Sequence, residues 1–176
     1  MKSTNKTTRE TVEFGDYQTP PAFAQLVCQK LRKIHRLSPK VVIEPTFGVG
    51  NFFDGIIDTF SEVQTLYGIE INKYYVEVAL QNLRKHTLDV QLFNADFFSF
   101  DFGKIKKSIS KNDSVLIIGN PPWVTNTQLS SMNSNNVPVK GNIKGYSGLD
   151  AMTGKGNFDI TENIILRLLE EFSGYD

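Results

Sequence analysis

The residues in this chain best able to do chemistry stand together at Asn120-Pro121-Pro122-Trp123. An aryl amine is a poor nucleophile because its lone pair is delocalised into the ring. The Asn120 side-chain oxygen and the Pro121 carbonyl are two acceptors, one for each N–H of such an amine. Acceptors set off the ring plane favour a pyramidal nitrogen with a usable lone pair. Two prolines stiffen the backbone that holds them, and the Trp123 indole offers a face on which a base can stack. The plain alternative is a proline-stiffened loop with an aromatic packed against it.

Three further segments place polar groups at the ends of apolar runs. Glu44-Pro45-Thr46-Phe47-Gly48-Val49-Gly50 follows Val41-Val42-Ile43. Gly48 and Gly50 permit positive φ and close approach of backbone to a ligand. Asn51, Phe52 and Phe53 come next, so the G-x-G-x-x-G of dinucleotide sites is absent. Glu44 would repel a pyrophosphate and attract an ammonium group. Glu70, with Ile71 beside it, closes a second run about 20 residues on, where an acid commonly holds ribose hydroxyls. Asp96-Phe97 closes a third run: the Asp can accept from an adenine amino group and the Phe can cover the ring. Singly, these segments also suit a tight turn, a solvated acid, and a turn acid beside a core aromatic. Together, an ammonium, a ribose, an adenine and no phosphate describe S-adenosylmethionine better than NAD or ATP.

The elements that must position these groups follow from periodicity. Thr19 is expected to cap a helix whose first turn accepts Pro20 and Pro21. Phe23, Leu26, Val27, Leu31 and Ile34 then recur at helical spacing, with Cys28 on the core side, and Pro39 ends the unit. Strands are expected at Val41–Ile43, Leu66–Ile71, Val90–Asp96 and Val115–Ile118. Helices fall between the first three, and Tyr75, Val78, Ala79 and Leu83 mark the second of these. Continuous β-branched runs suit strands buried on both faces, and the alternation indicates βαβ units around a parallel sheet. Residues 124–157 form a long polar loop, in which Lys140, Lys144, Tyr146 and Lys155 could approach a phosphate backbone. Ile160, Ile164, Ile165, Leu168 and Leu169 mark a last amphipathic helix.

In this order the segments resemble the class I methyltransferases, a Rossmann-like α/β fold with a parallel sheet and flanking helices. Tyr17-Gln18-Thr19-Pro20 ahead of the Glu44–Gly50 turn is similar to the element of DNA adenine amino-methyltransferases of restriction–modification type. Asn-Pro-Pro-aromatic resembles the hallmark of enzymes that methylate a planar amine, in which Tyr or Phe more often fills the position of Trp123. The resemblance implies S-adenosylmethionine as cofactor, held by Tyr17, Thr19, Pro20, Glu44, Gly48, Gly50, Glu70, Ile71, Asp96, Phe97 and Asn120. Thr19 would meet the methionine carboxylate and Glu44 its amine. Asn120, Pro121, Pro122 and Trp123 would carry catalysis. Gly156-Asn157-Phe158-Asp159 is similar to the family element beside the cofactor adenine. The family sheet has seven strands, so the chain is expected to stop after the fourth strand and its helix. Residues 1–13 then form an arm and 14–176 a partial catalytic domain. DNA is the implied partner, through a recognition domain not evident here, with a second chain or C-terminal half completing the fold. The same tetrapeptide serves methylation of protein glutamine and of RNA guanine, and a cofactor-binding piece inactive without its other half also fits.

Bulk properties agree. The 176 residues suffice for one domain. Nineteen basic residues balance 19 acidic ones, which argues against bulk electrostatic capture of nucleic acid. One cysteine excludes an internal disulfide and suits a cytoplasmic protein. His35 and His86, far apart and without a second cysteine, make a metal site improbable. No apolar run approaches the roughly 20 residues of a membrane span.

Overall fold

A computed structural model describes residues 18–123 and 160–175. The elements are α1 (Pro21–His35), β1 (Val41–Glu44), α2 (Asn51–Thr59), β2 (Thr65–Glu70) and α3 (Lys73–Leu83). They continue with β3 (Asp89–Asn94), the single turn α4 (Gly103–Lys106), β4 (Val115–Ile117) and α5 (Ile160–Phe172). Among the described residues, no helix is long and apolar enough to cross a membrane.

The four strands form one parallel sheet in the order β3-β2-β1-β4. The direction of winding reverses at β1, whose neighbours are β2 on one side and β4 on the other. Open α/β sheets bind ligands in the crevice beyond the carboxyl ends at such a reversal. All four residues of β1 are buried, as a strand covered on both faces requires. The core on one side joins Val42 and Leu66 to Phe53, Ile56, Ala79 and Leu83. A second cluster is aromatic: the ring centroids of Phe93 and Phe100 lie 4.9 Å apart, and those of Phe102 and Phe172 lie 5.6 Å apart.

Two expectations for α1 change. Pro20, not Thr19, holds the N-cap position, with extended backbone and no side-chain cap bond. The Thr19 carbonyl instead accepts from Asn51 Nδ2 at 2.8 Å. The buried residues of α1 are Ala24 and Cys28, while Phe23, Leu26 and Ile34 are 56%, 48% and 63% exposed. The cause lies in the partner helix. A Cβ on Gly55 of α2 would stand 3.2 Å from Gln25 Cα, so the two helices meet where side chains are smallest. That close approach leaves Phe23, Leu26 and Ile34 outside, whereas Val27 and Leu31 pack against the core as expected. The helix also stops before Pro39, because Arg36 adopts the left-handed conformation and its N–H returns to Leu31 O.

Other elements shift less. In α3 the buried residues are Val76, Ala79 and Leu83. Strand β3 ends at Asn94, so Asp96 lies two residues beyond the sheet rather than closing it. In α5 Ile160, Ile164, Leu168 and Phe172 are buried, whereas Ile165 and Leu169 face outward.

The described chain divides into two compact units. The larger holds Gln18–Pro121 with Leu168–Asp176 and contains the sheet. Of the second, Pro122, Trp123 and 160–167 are described.

Candidate cofactor and catalytic site

The carboxyl ends of β1, β2 and β4 converge on two buried acids. Glu44 ends β1 at 2% exposure, and Glu70 ends β2 at 9%. One turn joins them. Gly48 and Gly50 adopt φ of 57° and 85°, values open to glycine and costly for a residue with a Cβ. The Gly48 N–H donates to Glu70 Oε2 at 2.9 Å, and the Asn72 N–H donates to Glu70 Oε1 at 2.8 Å. Both carboxylate oxygens of Glu70 are thus held by backbone N–H groups.

Glu44 has no such support. Its Oε2 is buried and has no hydrogen-bond partner. Burial, and secondly the charge on Glu70, push its carboxyl well above the ordinary range. A buried acid with an orphaned oxygen is costly unless a cation or donor arrives to meet it. An ammonium group fits that oxygen in both charge and hydrogen bonding.

The strand that leads to Asn120 lies against Glu44. Ile43 pairs with Ile117, and the Ile118 N–H continues the ladder to Ile43 O at 3.1 Å. A Cβ on Gly119 would stand 3.5 Å from both Glu44 Cγ and Pro45 Cδ. Asn120 is the next residue, exposed beyond the sheet, with Pro121 half-buried after it. In the second unit Trp123 is 65% exposed. There Pro122 O accepts from Thr161 Oγ1 at 2.8 Å, and Thr161 is itself 2% exposed. Within that unit the Pro122 carbonyl is thus held by Thr161.

The remaining candidates are placed as follows. Gln18 Oε1 accepts from the Val49 N–H at 3.1 Å, and a Cβ on Gly48 would meet that oxygen at 2.5 Å. Together with the Asn51–Thr19 bond, this fastens the segment before α1 onto the glycine turn. Pro20 is exposed beside it. Ile71 stands 50% exposed next to Glu70. Asp96 is exposed and its Oδ1 accepts from the Phe98 N–H at 3.1 Å. Phe97 is 5% exposed and packs edge-on against Phe98 and Phe102, so it is a wall residue rather than a projecting platform. Cys28 is fully buried, its thiol pushed up to about 11 by burial and by the Glu44 charge, which leaves it unreactive. Tyr17, the 124–157 loop and the Gly156–Asp159 segment lie outside the described residues.

Comparison with known proteins gives this geometry a context. No family model matches the chain. Type II methyltransferase M.NspV of Nostoc sp. is 40% identical over 170 residues, which take in 93% of this chain and 34% of that protein. Ribosomal RNA small subunit methyltransferase H of Kosmotoga olearia is 29% identical over 87 residues, covering 48% of this chain and 29% of that protein. The chain therefore spans about a third of the length of the curated relatives it matches. Among solved structures, a proposed class I S-adenosylmethionine-dependent methyltransferase of Listeria monocytogenes superposes with a TM-score of 0.51 at 15% identity. That match covers 82% of this chain and 50% of the other. The fold is that of the class I methyltransferases.

The methyltransferase resemblance read from the motifs is borne out along 93% of the chain. Within the methyltransferase fold, several residues of this site escaped sequence reasoning. Asn72 had a signal: an Asn before a helical period is an N-cap, and its Oδ1 does accept from the Tyr74 N–H at 3.0 Å. Thr161 and Asn94 had none, because a single polar residue in an amphipathic helix or at a strand end is ordinary.

Proposed function

We propose that this chain carries the S-adenosylmethionine site and the catalytic loop of a DNA methyltransferase. Its target is the exocyclic amino group of adenine, and its setting is restriction–modification in the cytoplasm. The observation that carries the proposal is the orphaned Glu44 oxygen at the sheet's reversal point, one strand away from Asn120. S-adenosylmethionine is the cofactor: Glu44 takes its ammonium, Glu70 its ribose hydroxyls, Asp96 its adenine amine, and Thr19 its carboxylate. When bound, it supplies an electrophilic methyl group on sulfonium. Ile71, 50% exposed beside Glu70, lies along the adenine.

The chain's own residues prepare the nucleophile. Asn120 Oδ1 and the Pro121 carbonyl accept the two N–H groups of the target amine and favour its pyramidal form. Trp123 presents its exposed ring to the base, which must leave a duplex at a cost of a few kcal/mol. Stacking returns roughly 1–3 kcal/mol. We place target recognition outside the matched residues, because M.NspV extends well beyond the 34% that aligns.

Calorimetry with S-adenosylmethionine, then transfer of labelled methyl to duplex DNA, ribosomal RNA and a glutamine-bearing protein, tests the proposal. Cofactor binding with transfer to adenine in DNA alone is expected. Transfer to ribosomal RNA alone would overturn the DNA assignment in favour of an RNA substrate, the class named for the second relative.

A further inference from the structure

Asn94 faces Glu70 across the β2–β3 pair and ends its own strand. Its Nδ2 donates to two consecutive carbonyls, Glu70 O at 3.0 Å and Ile71 O at 2.9 Å. Both partners are pure acceptors, so the orientation of the amide follows from chemistry. Successive residues of an extended strand point to opposite sides. One amide group can reach both carbonyls only where the chain has turned between Glu70 and Ile71. The Ala95 N–H also donates to Glu70 O at 3.0 Å, which pins the near side of that bend to β3. The same bend brings the Asn72 N–H back onto Glu70 Oε1 at 2.8 Å, while the glycine turn holds Oε2 through Gly48.

We propose that Asn94 is a positioning residue for the ribose-binding carboxylate. Its amide clamps the bend at Ile71, and the bend fixes Glu70 between the Gly48 and Asn72 amides. Asn94 itself touches no cofactor atom; it acts through Glu70. The inference rests on the cofactor reading given above, and its test separates the two.

The 176-residue chain is titrated by calorimetry with S-adenosylhomocysteine and with the analogue lacking both ribose hydroxyls. Asn94→Asp keeps the side-chain shape and removes the donors. It is expected to bind S-adenosylhomocysteine roughly fivefold more weakly than the unmodified chain. For the analogue without hydroxyls the loss should nearly vanish, because Glu70 then has nothing to hold. Asn94→Ser keeps one donor and should fall between, and it carries the test if Asn94→Asp does not fold. Hydrogen exchange at the Gly48 and Asn72 amides should accelerate in Asn94→Asp without any ligand. An equal loss for both ligands, or unchanged affinity and exchange, overturns the proposal. If the unmodified chain binds neither ligand, the cofactor reading fails. Faster exchange would then still support the positioning of Glu70, and unchanged exchange would overturn it.

Discussion

Glu44 and Glu70 close neighbouring parallel strands, are both buried, and bear the same formal charge, yet their surroundings are opposite. Glu70 has each oxygen on a backbone amide. Glu44 has an orphaned oxygen and a carboxyl pushed upward by burial and by Glu70. A saturated acid is already part of the scaffold, and any ligand it meets shares it with the backbone. An unsaturated one stores an unfavourable interaction that only an incoming group relieves. The difference separates an acid that shapes the site from an acid whose partner is the ligand.

The largest effect expected lies outside the pair and serves to isolate it. Asn120→Ala should lower methyl transfer roughly 100- to 1000-fold, the scale of losing one preorganised polar group at a reacting centre. Cofactor affinity should change less than tenfold, so that binding reports on the acids. Equal losses in transfer and binding would show that Asn120 belongs mainly to the cofactor site. Next comes Glu44→Gln, which removes the charge that meets the ammonium. Affinity should fall roughly 100-fold, while the thermal midpoint of the free chain rises by about 2–4 °C per kcal/mol of relieved burial. Glu70→Gln should do the reverse for stability. An amide has a single acceptor oxygen, so Gly48 or Asn72 is left facing a donor, costing about 1–3 kcal/mol. Affinity should fall about tenfold. If calorimetry and thermal melts gave both variants the same sign of stability change, the contrast between the two acids would collapse.

How much of this was legible in the sequence differs by element for physical reasons. The strands were, because Val41–Ile43 and Val115–Ile118 are unbroken β-branched or aliphatic runs, as parallel-sheet strands require; β1 is buried throughout and β4 half-buried. The glycine turn was, because positive φ demands residues without Cβ, and Gly48 and Gly50 show it. The buried face of α1 was legible in part: Val27, Cys28 and Leu31 meet the core, but Ala24 is buried in place of Phe23, Leu26 and Ile34, since Gly55 on another helix decides it. The turn α4 and its aromatic cluster left no period to read, because Phe93 of β3, Phe100 and Phe102 just before α4, and Phe172 of α5 meet from distant parts of the chain. Of the candidate site, the placement of Glu44 and Glu70 at strand ends was legible, but not their inequality. That depends on the Gly48 and Asn72 amides reaching one acid and not the other, a fact of three-dimensional register.

The smallest effect is a dependence on pH, and it tests the inequality most directly. In the ligand-free chain the Glu44 carboxyl titrates above its ordinary value of 4.5, burial being the first cause and the Glu70 charge the second. An ammonium ligand favours the carboxylate, so binding expels a proton wherever Glu44 is protonated beforehand. Affinity should therefore rise with pH by a few-fold per unit up to the raised value and flatten above it. Stability runs the other way. A carboxyl whose folded pKa exceeds its unfolded one contributes fully below the unfolded value, and that contribution is lost as pH rises through the folded one. Glu62 runs opposite to Glu44, since the hydrogen bond from Arg32 holds its carboxyl down. The quantity to measure is thus the difference between the unmodified chain and Glu44→Gln, by calorimetry and thermal melts across the same pH range. The difference should slope upward in affinity and downward in stability, and a flat difference in both would mean that the Glu44 oxygen is not where the ammonium goes.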